Sequence, residues 1–258
     1  MILEYKDIPV FYNDEGIGKV VVLLHGFLET SVMWENLVSD IKDNHRVITI
    51  DLLGHGQTGC LGYIHTMEMM AEAVVDVLNH LKIKKSFFIG HSMGGYVALA
   101  LAEAYPKRID GICLLNSTPF ADSPDRQINR DRAIKAVKHN HKNFIRMSIV
   151  NLFSPDNRLR FAEEIEFIKL VAMKLPLQGI VAALEGMKIR KDRSLLLKQM
   201  MVSKIVLLGE KDPVLEYDSL KAQLISLGIE MDSFSGGHMS YIENKDELAY
   251  KLMQFIEK

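Results

Sequence analysis

The chain has 258 residues, of which 48% are hydrophobic and 25% charged, so it can form one sizeable domain with a large buried core. Its net charge of -2 provides no electrostatic basis for binding nucleic acid or an anionic membrane. The N-terminal residues lack a basic region followed by an apolar one, and no apolar run reaches the roughly 18 to 20 residues of a membrane helix. We therefore expect a cytoplasmic protein with a small-molecule substrate, no nucleic-acid or membrane partner, and Cys60 and Cys113 as reduced thiols.

Strand and helix patterns alternate through the first half of the chain. Weak alternation at residues 2–5 and 8–12, with a turn at 13–16, predicts an antiparallel edge hairpin. The predicted elements that follow are a buried strand at 20–24, a helix capped by Ser31, a strand at 47–50, a helix from Thr66, a strand at 86–89, a helix over 95–104 and a strand at 109–115. This order predicts an α/β fold, with a parallel sheet covered by helices on both faces.

The alternation stops between residues 121 and 200, where only helical patterns occur. That segment holds 16 Lys and Arg against 9 Asp and Glu, although the whole chain is slightly acidic. Beyond it we predict a strand at 204–208, a helix at 217–227, a strand at 229–234 and a last helix from Asn244. We therefore expect residues 1–120 and 201–258 to form a core, with 121–200 inserted into it as a helical cap.

The segment Gly90-His91-Ser92-Met93-Gly94 is a G-x-S-x-G motif between a predicted strand and a predicted helix. Gly90 and Gly94 lie where side chains would clash as the chain reverses, and the reversal forces Ser92 into a strained, exposed position. A serine hydroxyl is a poor nucleophile at neutral pH, so it needs a base and a group that orients that base. The setting predicts that Ser92 is a nucleophile.

The other catalytic groups should follow later strands, because the carboxyl ends of parallel strands share one edge of the sheet. His238, in a flexible loop after the last predicted strand, is the predicted base. Asp212, after the preceding strand, is the predicted orienting acid, with Glu210 as its competitor. Asn116 also follows a strand, but its amide cannot supply a charge. The remaining histidines are assigned to tight loops, to the surface or to the insertion.

A tetrahedral intermediate also needs two backbone N–H donors for its oxyanion. Met93, at a helix N-terminus, and Phe27, just after His25-Gly26, are the predicted donors, with side chains lining the pocket. The pair His139 and His141 has no further ligands at suitable spacing, so no metal site is predicted.

These motifs together resemble those of the alpha/beta-hydrolase superfamily, in its order of nucleophile, acid and histidine. They are His25-Gly26, Asp51-x-x-Gly54-x-Gly56, Gly90-x-Ser92-x-Gly94, Gly209-x-x-Asp212 and Gly237-His238. The resemblance implies an eight-stranded, mostly parallel sheet, a helical cap over the active site and no cofactor. The chain is similar to the small bacterial enzymes that carry Gly-His-Ser-Met-Gly-Gly. These include carboxylesterases and the menaquinone-pathway synthase of 2-succinyl-6-hydroxy-2,4-cyclohexadiene-1-carboxylate. Perhydrolases and carbon–carbon bond hydrolases are also similar, whereas haloalkane dehalogenases carry aspartate in place of Ser92.

Ester hydrolysis through an acyl-serine is the leading functional hypothesis. Lyase chemistry is the alternative, because arginines of the insertion could bind a substrate carboxylate. A third possibility is a ligand receptor that retains the triad. The candidate arginines are Arg126, Arg130, Arg132, Arg146, Arg158, Arg160, Arg190 and Arg193. The sequence sets no expectation for which of them points inward, for the acyl preference or for the oligomeric state.

Overall fold

The structure, a computed structural model, describes residues 1–257. Its strands are β1 (Ile2–Tyr5), β2 (Ile8–Glu15), β3 (Lys19–Leu24), β4 (His45–Ile50), β5 (Ser86–His91), β6 (Ile109–Leu115), β7 (Ser203–Gly209) and β8 (Met231–Phe234). Its helices are α1 (Glu35–Ile41), α2 (Met67–His80), α3 (Met93–Ala104), α4 (Pro124–His139), α5 (His141–Val150), α6 (Ala162–Ala172), α7 (Leu177–Lys188), α8 (Ser194–Gln199), α9 (Tyr217–Leu227), α10 (Ser240–Glu243) and α11 (Lys245–Glu257).

The strands form one eight-stranded sheet in the order β1-β2-β4-β3-β5-β6-β7-β8. β1 and β2 pair antiparallel, as do β2 and β4, and every other pairing is parallel. The predicted α/β fold with a mostly parallel sheet is therefore confirmed. The carboxyl ends of β3, β5, β6 and β7 lie side by side, so the loops that leave them meet at one edge.

Both faces of the sheet are buried, because successive side chains of a strand point to opposite sides. In β3, Val22 and Leu24 pack into the core cluster that includes residues of α2 and α3. Val21 and Leu23 pack on the other face, in the cluster that includes residues of α1 and α11. The uninterrupted aliphatic run of β3 thus supplies both layers of the core.

The predicted edge hairpin forms, but the turn at 13–16 is wrong. Residues 13–15 continue β2 and pair with residues 47–49 of β4. The hairpin turns instead at Lys6 and Asp7, which have φ angles of 49° and 64°. Two successive left-handed residues match the twist of a tight hairpin, and the composition of residues 13–16 imitated such a turn.

Two other boundaries differ from the prediction. The first helical turn, residues 31–34, is capped by the Thr30 side chain, which accepts from Val32 N–H, while Ser31 N–H donates to Asp51. β8 begins at Met231 rather than at residue 229. The last predicted helix forms as α11, one residue after Asn244 and behind the short α10, but the Asn244 side chain accepts from the Gly236 N–H.

Between β6 and β7 the chain forms five helices, α4 to α8, and no strand. We call residues 121–200 the helical insertion. Among residues 1–257 no single helix is long and apolar enough to cross a membrane, although the bent pair α6 and α7, at 101°, meets that criterion jointly.

Candidate active site

Ser92 occupies the sharp corner between β5 and α3. Its φ of 50° is in the left-handed region, a strained conformation for a residue that carries a side chain. A Cβ on Gly90 would collide with the backbone of Gly94 and Gly95, and a Cβ on Gly94 would collide with the Leu24 carbonyl. The two glycines therefore permit the close approach of strand and helix that presents the serine.

Ser92, His238 and Asp212 are brought together at the carboxyl edge of the sheet. The Ser92 hydroxyl lies 3.0 Å from Nε2 of His238, and Nδ1 of His238 lies 2.7 Å from Oδ2 of Asp212. An ionised carboxylate can only accept a hydrogen bond, so Nδ1 carries the proton. Nε2 is then left to accept the proton of the serine hydroxyl.

Asp212 is held ionised by its surroundings. Burial alone would raise the pKa of Asp212, but the charge and hydrogen bond of His238 and the N–H groups of Leu215 and Val214 outweigh it. The two N–H groups lie 3.0 and 2.7 Å from Oδ1. The resulting pKa is below the usual value, so the carboxylate is charged at neutral pH.

Asn116 contacts both Asp212 and the loop that carries His238. Sequence reasoning assigned it no role as the acid, because an amide carries no charge. Its Nδ2 donates to Oδ2 of Asp212 and to the Gly237 carbonyl, both at 3.1 Å. Its Oδ1 accepts from the Ser240 hydroxyl at 2.6 Å. The side chain thus connects the acid to the histidine loop, and its position at the end of a buried strand was the available signal.

Glu210, the competing acid, is exposed and does not face the histidine. Its carboxylate accepts from the Ser233 hydroxyl at 2.8 Å on the neighbouring strand. The structure thus places Asp212, and not Glu210, against His238.

The two predicted oxyanion donors differ in where their side chains lie. Neither the Phe27 N–H nor the Met93 N–H has a hydrogen-bond acceptor among residues 1–257. The Phe27 side chain lines the cavity beside Ser92. The expectation that Met93 lines it is wrong, because its side chain is fully buried in the core beneath the sheet edge.

Glu29 and His91 form a buried ion pair next to these donors. Nδ1 of His91 lies 2.8 Å from the Glu29 carboxylate and Nε2 lies 2.9 Å from the carbonyl of His238. Both partners can only accept, so both ring nitrogens carry protons and His91 is an imidazolium. Burial opposes the charge on each residue, but their attraction raises the pKa of His91 and lowers the pKa of Glu29.

The ion pair of Glu29 and His91 also binds backbone groups on two loops of the site. The Glu29 carboxylate also accepts from the Gly26 N–H at 2.7 Å, which orients the loop that carries Phe27. His91 donates to the backbone carbonyl of His238. Sequence reasoning missed Glu29; an acidic residue three positions after His25-Gly26 in an apolar loop was its only local signal.

Two histidines assigned to surface-like positions are in fact buried. His65 is fully buried, with Nε2 accepting from Leu61 N–H and Nδ1 facing the Leu53 carbonyl. His45 is the first residue of β4 and is also buried. His65 thus has two backbone partners, whereas Nδ1 of His45 has none among residues 1–257.

The cavity that contains Ser92 and His238 has a volume of about 380 Å³. Part of its wall comes from the helical insertion. Its largest apolar side chains are those of Phe27, Tyr96, Phe144, Leu152, Leu184 and Met187. An apolar body of small-molecule size therefore fits beside the serine.

Among the eight arginines of the insertion, Arg130 alone lines this cavity within the part of the chain described. Arg190 is buried, stacks on Tyr96 and donates to the carbonyls of Phe120 and Met187. Arg193 is buried between Glu68 and Glu103. Arg132, Arg146 and Arg160 are exposed, and Arg126 and Arg158 are half-buried.

The family of alpha/beta hydrolase fold proteins matches residues 19–245. The chain belongs to the alpha/beta-hydrolase family. This membership confirms the resemblance drawn from the motifs.

Three proteins similar to this chain have different descriptions. An esterase from Thermogutta terrifontis, solved with malate bound, has a TM-score of 0.89 at 29% identity, covering 97% of this chain and 93% of that one. A putative 2-succinyl-6-hydroxy-2,4-cyclohexadiene-1-carboxylate synthase from Bacillus subtilis is 30% identical over 77% of this chain and 76% of its own length. An acetyltransferase component of the acetoin cleaving system from Pseudomonas putida is 26% identical over 93% of this chain, which spans only 64% of that relative.

Proposed function

We propose that this alpha/beta hydrolase is a serine hydrolase that cleaves carboxylic esters of small substrates through an acyl-serine intermediate. The observation that carries the proposal is the hydrogen-bonded row of Ser92, His238 and Asp212, with distances of 3.0 and 2.7 Å. The apolar cavity beside the serine suits a small ester. The helical insertion, as a cap over the cavity, would limit the size of the substrate.

Acylation begins when the Ser92 oxygen attacks the ester carbonyl carbon and its proton moves to Nε2 of His238. Asp212 stabilises the imidazolium that forms. The negative oxygen of the tetrahedral intermediate accepts from the N–H groups of Phe27 and Met93, and loss of one such donor typically costs about a hundredfold in rate. The intermediate collapses, the bond to the alcohol oxygen breaks, and His238 gives its proton to the alcohol.

Deacylation repeats the sequence with water as the nucleophile. His238 accepts a proton from water, whose oxygen attacks the acyl carbon. Collapse of the second intermediate releases the carboxylic acid and returns the proton to Ser92. No cofactor takes part in either half of the proposed reaction.

The experiment is hydrolysis of a chromogenic short-chain ester, together with labelling by a fluorophosphonate probe. We expect wild-type protein to hydrolyse the ester and to be labelled on Ser92. Ser92→Ala should lose labelling and at least about a thousandfold of its rate, because the nucleophile is removed. Ser226→Ala, an exposed serine on α9, is the control. Equal rates for Ser92→Ala and wild type would overturn the nucleophile assignment.

Lyase chemistry is the second candidate, supported by the synthase relative from Bacillus subtilis and by Arg130 in the cavity. Turnover of a polycarboxylate without any ester hydrolysis would favour the lyase. A failure of Ser92 to react with the fluorophosphonate would instead favour a ligand receptor that retains its triad.

A further inference from the structure

Arg130, on α4, lines the cavity that contains Ser92 and an adjoining pocket shared with Arg126 and Val214, and one hydrogen bond holds its side chain. Its Nε lies 3.0 Å from Oδ2 of Asp122, whose side chain is fully buried. Arg130 itself retains 18% side-chain exposure. The guanidinium is therefore held on its Nε side, while part of the side chain remains exposed.

Asp122 is shared by three guanidinium groups. Arg190 lies 2.6 Å and Arg126 3.4 Å from Oδ1 of the same carboxylate. Burial would raise the pKa of Asp122, but the charges of Arg130 and Arg190 outweigh it and keep the carboxylate ionised. One negative charge among three positive ones leaves this cluster with a net positive charge, and Arg130 is its member in the cavity wall.

The other two arginines of the cluster have further acceptors, whereas Arg130 does not. Arg126 donates to the Val214 carbonyl, and Arg190 donates to two carbonyls and stacks on Tyr96. For Arg130, the bond from Nε is its single hydrogen bond within residues 1–257. The N–H groups on Nη1 and Nη2 thus have no protein acceptor, and together they form the end-on fork that matches a carboxylate.

The cavity supplies no carboxylate of its own to this fork. Glu29 is the one acidic residue among the side chains that line it, and its carboxylate is paired with His91. His238 contributes no negative charge. The side chains that line the cavity therefore offer the Arg130 fork no anionic partner.

We propose that Arg130 selects esters that carry a carboxylate on an apolar body, a refinement that rests on the proposed serine hydrolase function. Asp122 orients the guanidinium, and the Nη1 and Nη2 edge binds the carboxylate end-on. The ester bond is thereby positioned over Ser92 while the apolar part of the substrate packs on the cavity wall.

The test compares matched chromogenic or chromophoric esters that differ only in charge. Mono-4-nitrophenyl glutarate is compared with methyl 4-nitrophenyl glutarate, which places the carboxylate in the acyl half. The pair 4-acetoxybenzoate and methyl 4-acetoxybenzoate places it in the alcohol half. The readout is the ratio of kcat/KM for the charged ester to that for the neutral ester.

Wild type should prefer the charged ester in at least one pair. Arg130→Met should reduce that ratio by about 10- to 100-fold, as expected for loss of a charge-assisted bidentate contact. Arg130→Lys should restore only part of it, because an ammonium lacks the fork. Arg132→Met is the matched control, since Arg132 is exposed on the same helix and bonds only to Asn129; it should keep the wild-type ratio.

The outcomes separate the two proposals. Two outcomes overturn the role of Arg130 but leave the proposed function standing. In the first, Ser92-dependent hydrolysis occurs without any preference for the charged ester. In the second, the preference is present but Arg130→Met leaves it intact. If Arg130→Met lowers kcat/KM for the charged and the neutral ester of a pair by the same factor, Arg130 has a structural role with Asp122. That outcome also overturns the inference. Absence of Ser92-dependent hydrolysis of any of the four esters overturns the proposed function and the inference that rests on it.

Discussion

At the scale of single residues, the geometry of the site depends on side chains outside the row of Ser92, His238 and Asp212. Asn116 illustrates this: its amide donates to Asp212 and to the Gly237 carbonyl and accepts from Ser240. Its φ of 43° is in the left-handed region, which asparagine tolerates better than most residues. The residue therefore meets a backbone requirement and a hydrogen-bonding requirement at the same position.

Two substitutions of Asn116 separate these requirements. Asn116→Gly removes the amide but accepts the backbone conformation, whereas Asn116→Ala removes the amide and adds left-handed strain of about 1 kcal/mol. We expect kcat for ester hydrolysis to fall about 10- to 100-fold in both variants, since Asp212 loses a donor that positions it. Urea unfolding should show the alanine variant to be the less stable. Wild-type kcat in Asn116→Gly would contradict the positioning role.

At the scale of elements, the turn between β5 and α3 couples the strained serine to the core. α3 is almost entirely buried, and its first turn packs against the backbone at the end of β3. The strand and the helix are thus close enough that only a glycine fits at position 94. Ser92 is therefore held in place by the packing of two elements rather than by its own side chain.

Gly94→Ala tests this contact, because the added Cβ would collide with the carbonyls of Leu24 and His25. We expect a loss of about 3 kcal/mol in the free energy of unfolding, since backbone atoms on both sides cannot move independently. Gly62→Ala is the control: its φ of 80° adds strain, but no atom lies within 4 Å of the new Cβ. It should lose only about 1 kcal/mol. Equal losses measured by urea unfolding would disprove the close-packing explanation.

At the scale of the whole molecule, the helical insertion is bound to the loop that carries His238. The His238 N–H donates to the Leu152 carbonyl at 3.1 Å. Glu243 on α10 accepts from Ser154 N–H at 3.3 Å and from Asn157 Nδ2 at 2.7 Å. Its other oxygen accepts from Met239 N–H. A displacement of the insertion therefore reaches His238, the proposed base, directly.

Glu243→Ala should loosen this connection. We expect a kcat for ester hydrolysis reduced about tenfold or more, because a small displacement of His238 is costly, and faster proteolysis within residues 151–161. Glu247→Ala, a more exposed residue on α11 paired with Lys251, is the control and should leave both measurements near wild type. Slower hydrolysis without a change in proteolysis would argue against coupling through the insertion.

Much of the fold followed from local patterns. The aliphatic runs predicted the core strands within one or two residues at most ends, and α9 and β6 have the predicted bounds. The wrong turn at residues 13–16 and the side-chain contact of Asn244 at the start of α11 show the limit of this reasoning. Residues 13–15 are held by β4, and Asn244 by Gly236, and neither partner belongs to the local pattern.

The sequence by itself determined the α/β class and the choice of Ser92, Asp212 and His238 as candidates, because the carboxyl ends of parallel strands meet at one edge whatever the details of packing. Only the tertiary structure decided that Asp212 rather than Glu210 faces the histidine, that Asn116 and Glu29 support the site, and that Arg130 enters the cavity. The contacts of Asp212, Asn116 and Glu29 join residues 26 to 124 positions apart, so no local period records them. Arg130 and the other residues of the helical insertion that line the cavity decide the charge and shape of that part of its wall.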